Sequence, residues 1–268
     1  MTRSPAVAGQ FYPGSQSALR REIKKYIDYQ VEKVDVKGAM LPHAGYIYSG
    51  MVAGATISRI GPKESFVILG PNHTGLGKPY AIMTEGKWNT PLGDIEIDSI
   101  LAKTILRQSD YLQDDFQAHL AEHSIEVQLP FLQYLYPQAK IVPITVAAED
   151  RGEILKKIGL EIASAISGLN KNVAVFASSD LTHYESSDSA EKKDRQAIEA
   201  ILRLDEDQLL DRVARLKISM CGYAPTAIML SACKKMGAKD AEVVQYQTSG
   251  DVNGDYTRVV GYAGILIK

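Results

Sequence analysis

Cysteine is scarce in this chain. Cys221 and Cys233 are the only two in 268 residues. One bridge between them is conceivable, but so few thiols in a chain of this size read as free thiols of a reducing compartment rather than staples. An excess of one charge is also missing. Thirty Lys and Arg stand against 32 Asp and Glu, for a net charge of −2, with no long run of like charge. This leaves no electrostatic footprint for nucleic acid and no face drawn to an anionic membrane. No apolar stretch reaches the ~20 residues that span a bilayer, and the opening MTRSPAVAGQFYPGS has no apolar signal core. A cytoplasmic protein with neither nucleic-acid nor membrane partners is expected, and the composition sets no oligomeric state.

What is present is alternation. Apolar, partly β-branched runs mark strands near 38–42, 65–70, 80–84, 140–147, 172–178, 242–247 and 258–267, with a hairpin arm at 92–97. Amphipathic patterns mark helices near 16–31, 48–60, 98–109, 123–135, 151–168, 188–203, 205–215 and 225–236. Strands alternating with helices of this length argue for an α/β protein whose mixed, largely parallel sheet is covered on both faces. Pro91-Leu92-Gly93-Asp94 reads as a turn. Ser249 to Asp255 reads as a polar turn or loop without EF-hand spacing. Repeats, low-complexity segments and linkers are missing, so one domain over 1–268 is expected, long enough to bury its core.

Only five histidines occur, and three of them follow strand-like runs: His43 in AMLPHAG, His73 in LGPNHTG and His183, with Asp180, in VFASSDLTH. In open α/β sheets ligands gather at the carboxyl ends of strands. If these runs are parallel neighbours, their loops share one edge, and imidazoles meeting there invite Fe, Zn or Cu. The bland alternative is three hydrogen-bonded loop residues. HLAEH (His119 to His123) matches the inverted zinc-peptidase pattern H-x-x-E-H, with Glu122 as general base. That is a weak motif, and a Glu there equally suits a helix N-terminus. Cys221, in SMCGYAPTA, sits just before a Pro-led helix, a position that favours thiolate. Cys233, in the apolar stripe of that helix, reads as a small core residue. Tyr46 and Tyr48 are candidates to line a phenol pocket, though among 14 tyrosines each reads first as packing, and the Trp88 loop is a candidate cover for the site.

Eight blocks, SPAVAGQFYP, PHAGYIYSG, LGPNH, TPLGD, EHSIEVQLPFL, SSDLTHY, MCGYAP and SGD…VVGYAG, run in order from Ser4 to Gly264. Together they resemble the Memo family, which is similar in fold to the class III (LigB-type) extradiol dioxygenases. The resemblance implies a single-domain αβα sandwich with a non-haem metal at one sheet edge. Carried over by motif, His43, His73 and Cys221 would ligate iron or copper. Asp180 and His183 would border the pocket, His183 as acid/base. His123 and Glu126 would lie in the shell around the ligands. His119 falls outside the family pattern. In the dioxygenases a carboxylate completes the iron site where the resemblance here places Cys221, a softer ligand that suits Fe(II), Cu(I) or Zn and is itself oxidisable.

Three functions follow as expectations. The first is an Fe(II)-dependent, or copper-dependent, oxidoreductase related to extradiol dioxygenases that acts on a small phenolic substrate. The second is a non-catalytic metal-binding or adaptor protein on the same fold. The third is a zinc hydrolase.

Overall fold

The computed structural model describes residues 1–147 and 152–268. In chain order the first half contains β1 (Thr2–Arg3), α1 (Gln16–Tyr26), β2 (Gly38–Leu41), α2 (Tyr46–Ser58), β3 (Ser65–Pro71), β4 (Tyr80–Ile82), β5 (Lys87–Thr90), β6 (Gly93–Glu96), α3 (Ser99–Gln108), β7 (Gln113–Asp114) and α4 (Leu129–Leu135). The second half contains β8 (Lys140–Val146), α5 (Gly152–Leu169), β9 (Val173–Ser178), β10 (His183–Glu185), α6 (Ser187–Leu202), α7 (Glu206–Leu216), α8 (Tyr223–Lys235), β11 (Ala241–Thr248), α9 (Gly250–Asn253) and β12 (Val259–Ile267).

The main sheet runs in the order β10-β12-β2-β9-β3-β8-β4-β7, with β11 pairing along β12. Strands β2, β9, β3 and β8 are parallel, whereas β12 and β4 join them antiparallel. The parallel strands are near-continuous apolar runs such as SFVIL and VAVFA because both of their faces are covered. Helix α8, buried from Ala224 to Cys233, lies between the sheet and α5 on one side, while α2 packs on β2, β11 and β12. This is the mixed, largely parallel sheet covered on both faces that the alternation predicts, the αβα sandwich that the resemblance implies. A separate small sheet, β1-β5-β6, ties the N-terminus to the hairpin arm.

Several boundaries differ from expectation for local reasons. The first helix ends at Tyr26 rather than near 31. Beyond it, Ser58 Oγ accepts the Asp28 N–H and Asp28 Oδ1 accepts that of Gln30, which satisfies the backbone outside a helix. The helix expected over 123–135 begins at Leu129, after a 3₁₀ turn over Glu126–Gln128. Upstream, the Glu122 carboxylate takes the N–H groups of His123 and Ser124 and so competes with helix formation. Strands β5 and β10 carry too little apolar alternation to be read, and the polar tract after β11 contains the short helix α9. Arg151, the expected start of a helix, lies outside the described residues; α5 is seen from Gly152.

Candidate metal centre

Three parallel strands end at the same edge, and each places a polar residue two positions beyond its last residue. His43 follows Leu41 of β2, His73 follows Pro71 of β3, and Asp180 follows Ser178 of β9. His123 arrives from the irregular segment between β7 and α4. The ring centroids of His43 lie 5.2 Å from His73 and 5.5 Å from His123; His73 and His123 stack at 4.7 Å. One ring nitrogen of each lies within 4.8 Å of the other two. Cys221 Sγ stands 3.2 Å from His43 Nε2. The chain reaches that position because Gly222 has no side chain: a Cβ there would collide with Ser178 O and Ser179.

Hydrogen bonds behind the rings fix which nitrogen faces inward. Ser178 Oγ donates to Ser124 O (2.6 Å) and accepts from Gln128 Nε2 (2.9 Å). Its remaining role toward His43 Nδ1, 3.0 Å away, is acceptor, so Nδ1 carries the proton and Nε2 keeps a lone pair toward Cys221. Burial, together with neighbouring His73 and His123, drives the His43 pKa well below the usual imidazole range. Burial lowers His123 as well, against the opposing pull of Glu122. A neutral imidazole with Nε2 free is the form that binds a transition metal. These donors therefore fit a soft or borderline divalent ion.

Cys221 differs from the reading by helix position. It does precede α8, but burial and the Asp180 carboxyl push its thiol up, and burial does the same to Cys233. Both cysteines are free thiols. A cation at the site is what would deprotonate Cys221.

Asp180 is buried. Its Oδ1 accepts the His43 backbone N–H at 2.7 Å, so it holds the β2–α2 loop rather than an imidazole ring. Burial raises its pKa, opposed by that N–H and by His183 and His123. His183 lies on β10 at the rim. Its Nδ1 donates to Ser219 O at 2.8 Å, leaving Nε2 free, and its ring lies 5.8 Å from Tyr184. Tyr184 has a left-handed backbone (φ 60°), an uncommon conformation for a residue with a Cβ and one that concentrates at functional sites.

The charge of Glu126 reaches His123, but its hydrogen bonds go to the N-terminal segment. Glu126 pairs with fully buried Arg3 and accepts from Ala6 N, Val7 N and Tyr12 OH, anchoring that segment. That segment carries Phe11, whose ring is 4.8 Å from His123. His119 does not share a helix face with His123. It is buried beside Trp88, 5.7 Å between rings, so the peptidase arrangement is not formed. Trp88 lies in β5 under the Arg3 guanidinium rather than on a loop over the site. Tyr46 is buried and donates to Val127 O. Sequence reasoning passed over Ser178 and Phe11, and it gave Glu122 a role only in the peptidase pattern; the one signal for Glu122 was its place beside His123.

A family model described as Memo-like protein matches residues 3–266. The chain belongs to the Memo family. A MEMO1 family protein of Methanopyrus kandleri is 46% identical, with 100% of this chain and 99% of that protein covered. Another from Methanococcoides burtonii is 47% identical over 99% of this chain and 100% of its own length. Among solved structures, uncharacterized protein JW3007 from Escherichia coli K12 is similar with a TM-score of 0.54 and 11% identity, over 87% of this chain and 100% of that one. That likeness is one of fold alone. The sandwich is thus the architecture of a Memo family chain, and the segments PHAG, GPNH and EHSIE supply its clustered imidazoles. No described helix is long and apolar enough to cross a membrane.

Proposed function

We propose that this Memo family protein is a metal-dependent oxidoreductase, with Fe(II) as the preferred ion and copper the alternative, acting on a small phenolic substrate in a reducing cytoplasm. The observation that supports this reading is the meeting of three imidazoles and the Cys221 sulfur at one sheet edge. His43, His73 and Cys221 would hold the ion, with His123 as a further imidazole beside them. Bound iron would supply activation of O₂. The chain's own residues have separate tasks. Asp180 fixes the loop that carries His43. His183, its Nδ1 proton committed to Ser219 O, offers Nε2 at the rim to take a substrate hydroxyl proton. Phe11 walls one side against water.

Elemental analysis of anaerobically purified protein, followed by O₂ uptake with a catechol panel, tests the reading. Iron with uptake is the expected result. His183→Ala should keep the metal and lose about 10²–10⁴-fold in turnover, the usual cost of a lost acid/base. Metal without turnover on any substrate would replace this reading with the adaptor one, and stoichiometric zinc with hydrolysis would replace it with a hydrolase.

A further inference from the structure

The donors of the site are held by two different kinds of partner. Behind His43 is a neutral hydroxyl, Ser178. Behind His73 is a carboxylate with no solvent exposure, Glu122, whose Oε1 lies 3.0 Å from His73 Nδ1. The same carboxylate accepts the His73 N–H at 2.5 Å, the His123 N–H at 2.9 Å and the Ser124 N–H at 2.8 Å, and it lies 3.5 Å from His123 Nδ1. One buried anion therefore grips both loops that bring the stacked imidazoles together, one after β3 and one before α4. Close approach of these loops is possible because Gly70 lacks a Cβ, which would strike Ser124 and Ile125.

We infer that Glu122 is a positioning residue for the metal centre: it fixes His73 in the Nδ1–H form with Nε2 toward the ion and supplies a negative charge without occupying a coordination position. The inference rests on the reading of the edge as a metal site. A carboxylate behind a ligating imidazole sets its tautomer and orientation and raises its basicity. Charge balance points the same way. The fully buried Glu122 anion, like a Cys221 thiolate, would offset part of a divalent cation's charge.

Two measurements test this. In metal-free wild-type protein, long-range ¹H–¹⁵N correlation of the histidine rings should show His73 as the Nδ1–H tautomer. Observation of the Nε2–H tautomer would overturn the inference without recourse to any variant. In competition titrations with Zn²⁺ against a chromophoric chelator, Glu122→Gln should bind about 10–100-fold more weakly than wild type. Glu122→Asp should recover part of that loss, which a purely structural role would not require. A Glu122→Gln protein that binds Zn²⁺ as tightly as wild type would overturn the inference. Failure of the wild type itself to bind any metal would instead sink the metal-site reading, and the ring tautomer would still report on Glu122.

Discussion

Where β3, β8 and β9 begin, a cavity of about 560 Å³ is lined by Lys33, Lys63, Lys140, Lys171 and Asp98; where β2, β3 and β9 end, His43, His73 and Asp180 meet His123 and Cys221. At the first edge each ammonium has its own acceptor. Lys63 pairs with Asp35, Lys171 with Asp98, and Lys140 with Glu96, while Lys33 donates to the carbonyls of Ser58 and Ile60 near the end of α2. At the second edge the acceptors lie behind the rings, and lone pairs point at one another across a common space. The capacious edge is thus electrostatically closed, and the crowded one is chemically open. Unspent donors, rather than volume, mark the candidate site.

Ligand removal should give the largest effect and would break the contrast if it failed. His43→Ala and Cys221→Ala should each reduce metal in the purified protein to background, read by elemental analysis, while Lys63→Ala at the opposite edge keeps full occupancy. Retention of metal by His43→Ala would mean that the carboxyl edge is no more a binding site than the lysine-lined one.

Stability sharpens the same comparison. Arg3 is fully buried, donates to Glu126, to Glu122 O at 2.6 Å and to His119 O at 3.0 Å, and lies over Trp88. Truncating one partner of a buried pair usually costs about 3–5 kcal/mol, because the other charge is left uncompensated. Arg3→Ala should therefore lower the unfolding free energy by about that amount in urea titrations. Lys140→Ala, which removes a solvent-screened pair, should leave it nearly unchanged. Equal losses would show that burial does not separate the two edges.

The sandwich was legible because β3, β8 and β9 are near-continuous apolar runs, and because the amphipathic spacing of α5 and α6 spans several turns. Likewise, His43 and His73 were visible as residues just past strand ends, where topology alone predicts convergence. Glu122 and Ser178 were not visible in that way. Their roles depend on which side-chain atoms they meet 49 and 135 residues away, at His73 Nδ1 and His43 Nδ1, and no periodicity encodes such pairings. Glu126 shows the converse. It shares a motif with His123, yet the fold spends it on Arg3 and the N-terminal segment. Cys221 shows a competition: the start of α8 favours a thiolate, but burial beside Asp180 outweighs it until a cation arrives.

The smallest expected effect is a pH dependence confined to the carboxyl-edge side of the molecule. At the lysine-lined edge Lys140 and Asp98 keep their charges between pH 5 and 7. Lys140 is raised by its bond to Glu96. Burial opposes the Asp98 carboxylate, but Lys171, Ser65 and the Leu101 N–H outweigh it and lower its pKa. His119 behaves differently, because burial, helped by the Arg3 charge, lowers it from 6.5 to about 4. Unfolded, it takes up a proton below about 6.5; folded, it does not until about 4. Its contribution is therefore complete above 6.5 and is lost as pH falls toward 4, amounting to about 2 kcal/mol between pH 7 and pH 5. Glu122 acts in the same direction in a lower window. Burial raises its carboxyl, but the His73 hydrogen bond and charge and the Ser124 N–H bring it to about 2, so its share disappears only as pH falls below about 4.5. Buried His43 and His123 add to the slope above pH 5, since both are lowered. Asp180, being raised, works the other way, favouring the fold at low pH and losing that share as pH rises. Denaturant titrations of metal-free protein at pH 7 and pH 5 should thus show wild type less stable at pH 5, with the difference smaller by about 2 kcal/mol in His119→Gln and nearly unchanged in Lys140→Ala, which removes only a solvent-screened pair with Glu96. The same pH difference in His119→Gln and wild type would show that His119 is not held neutral beside Trp88 and Arg3.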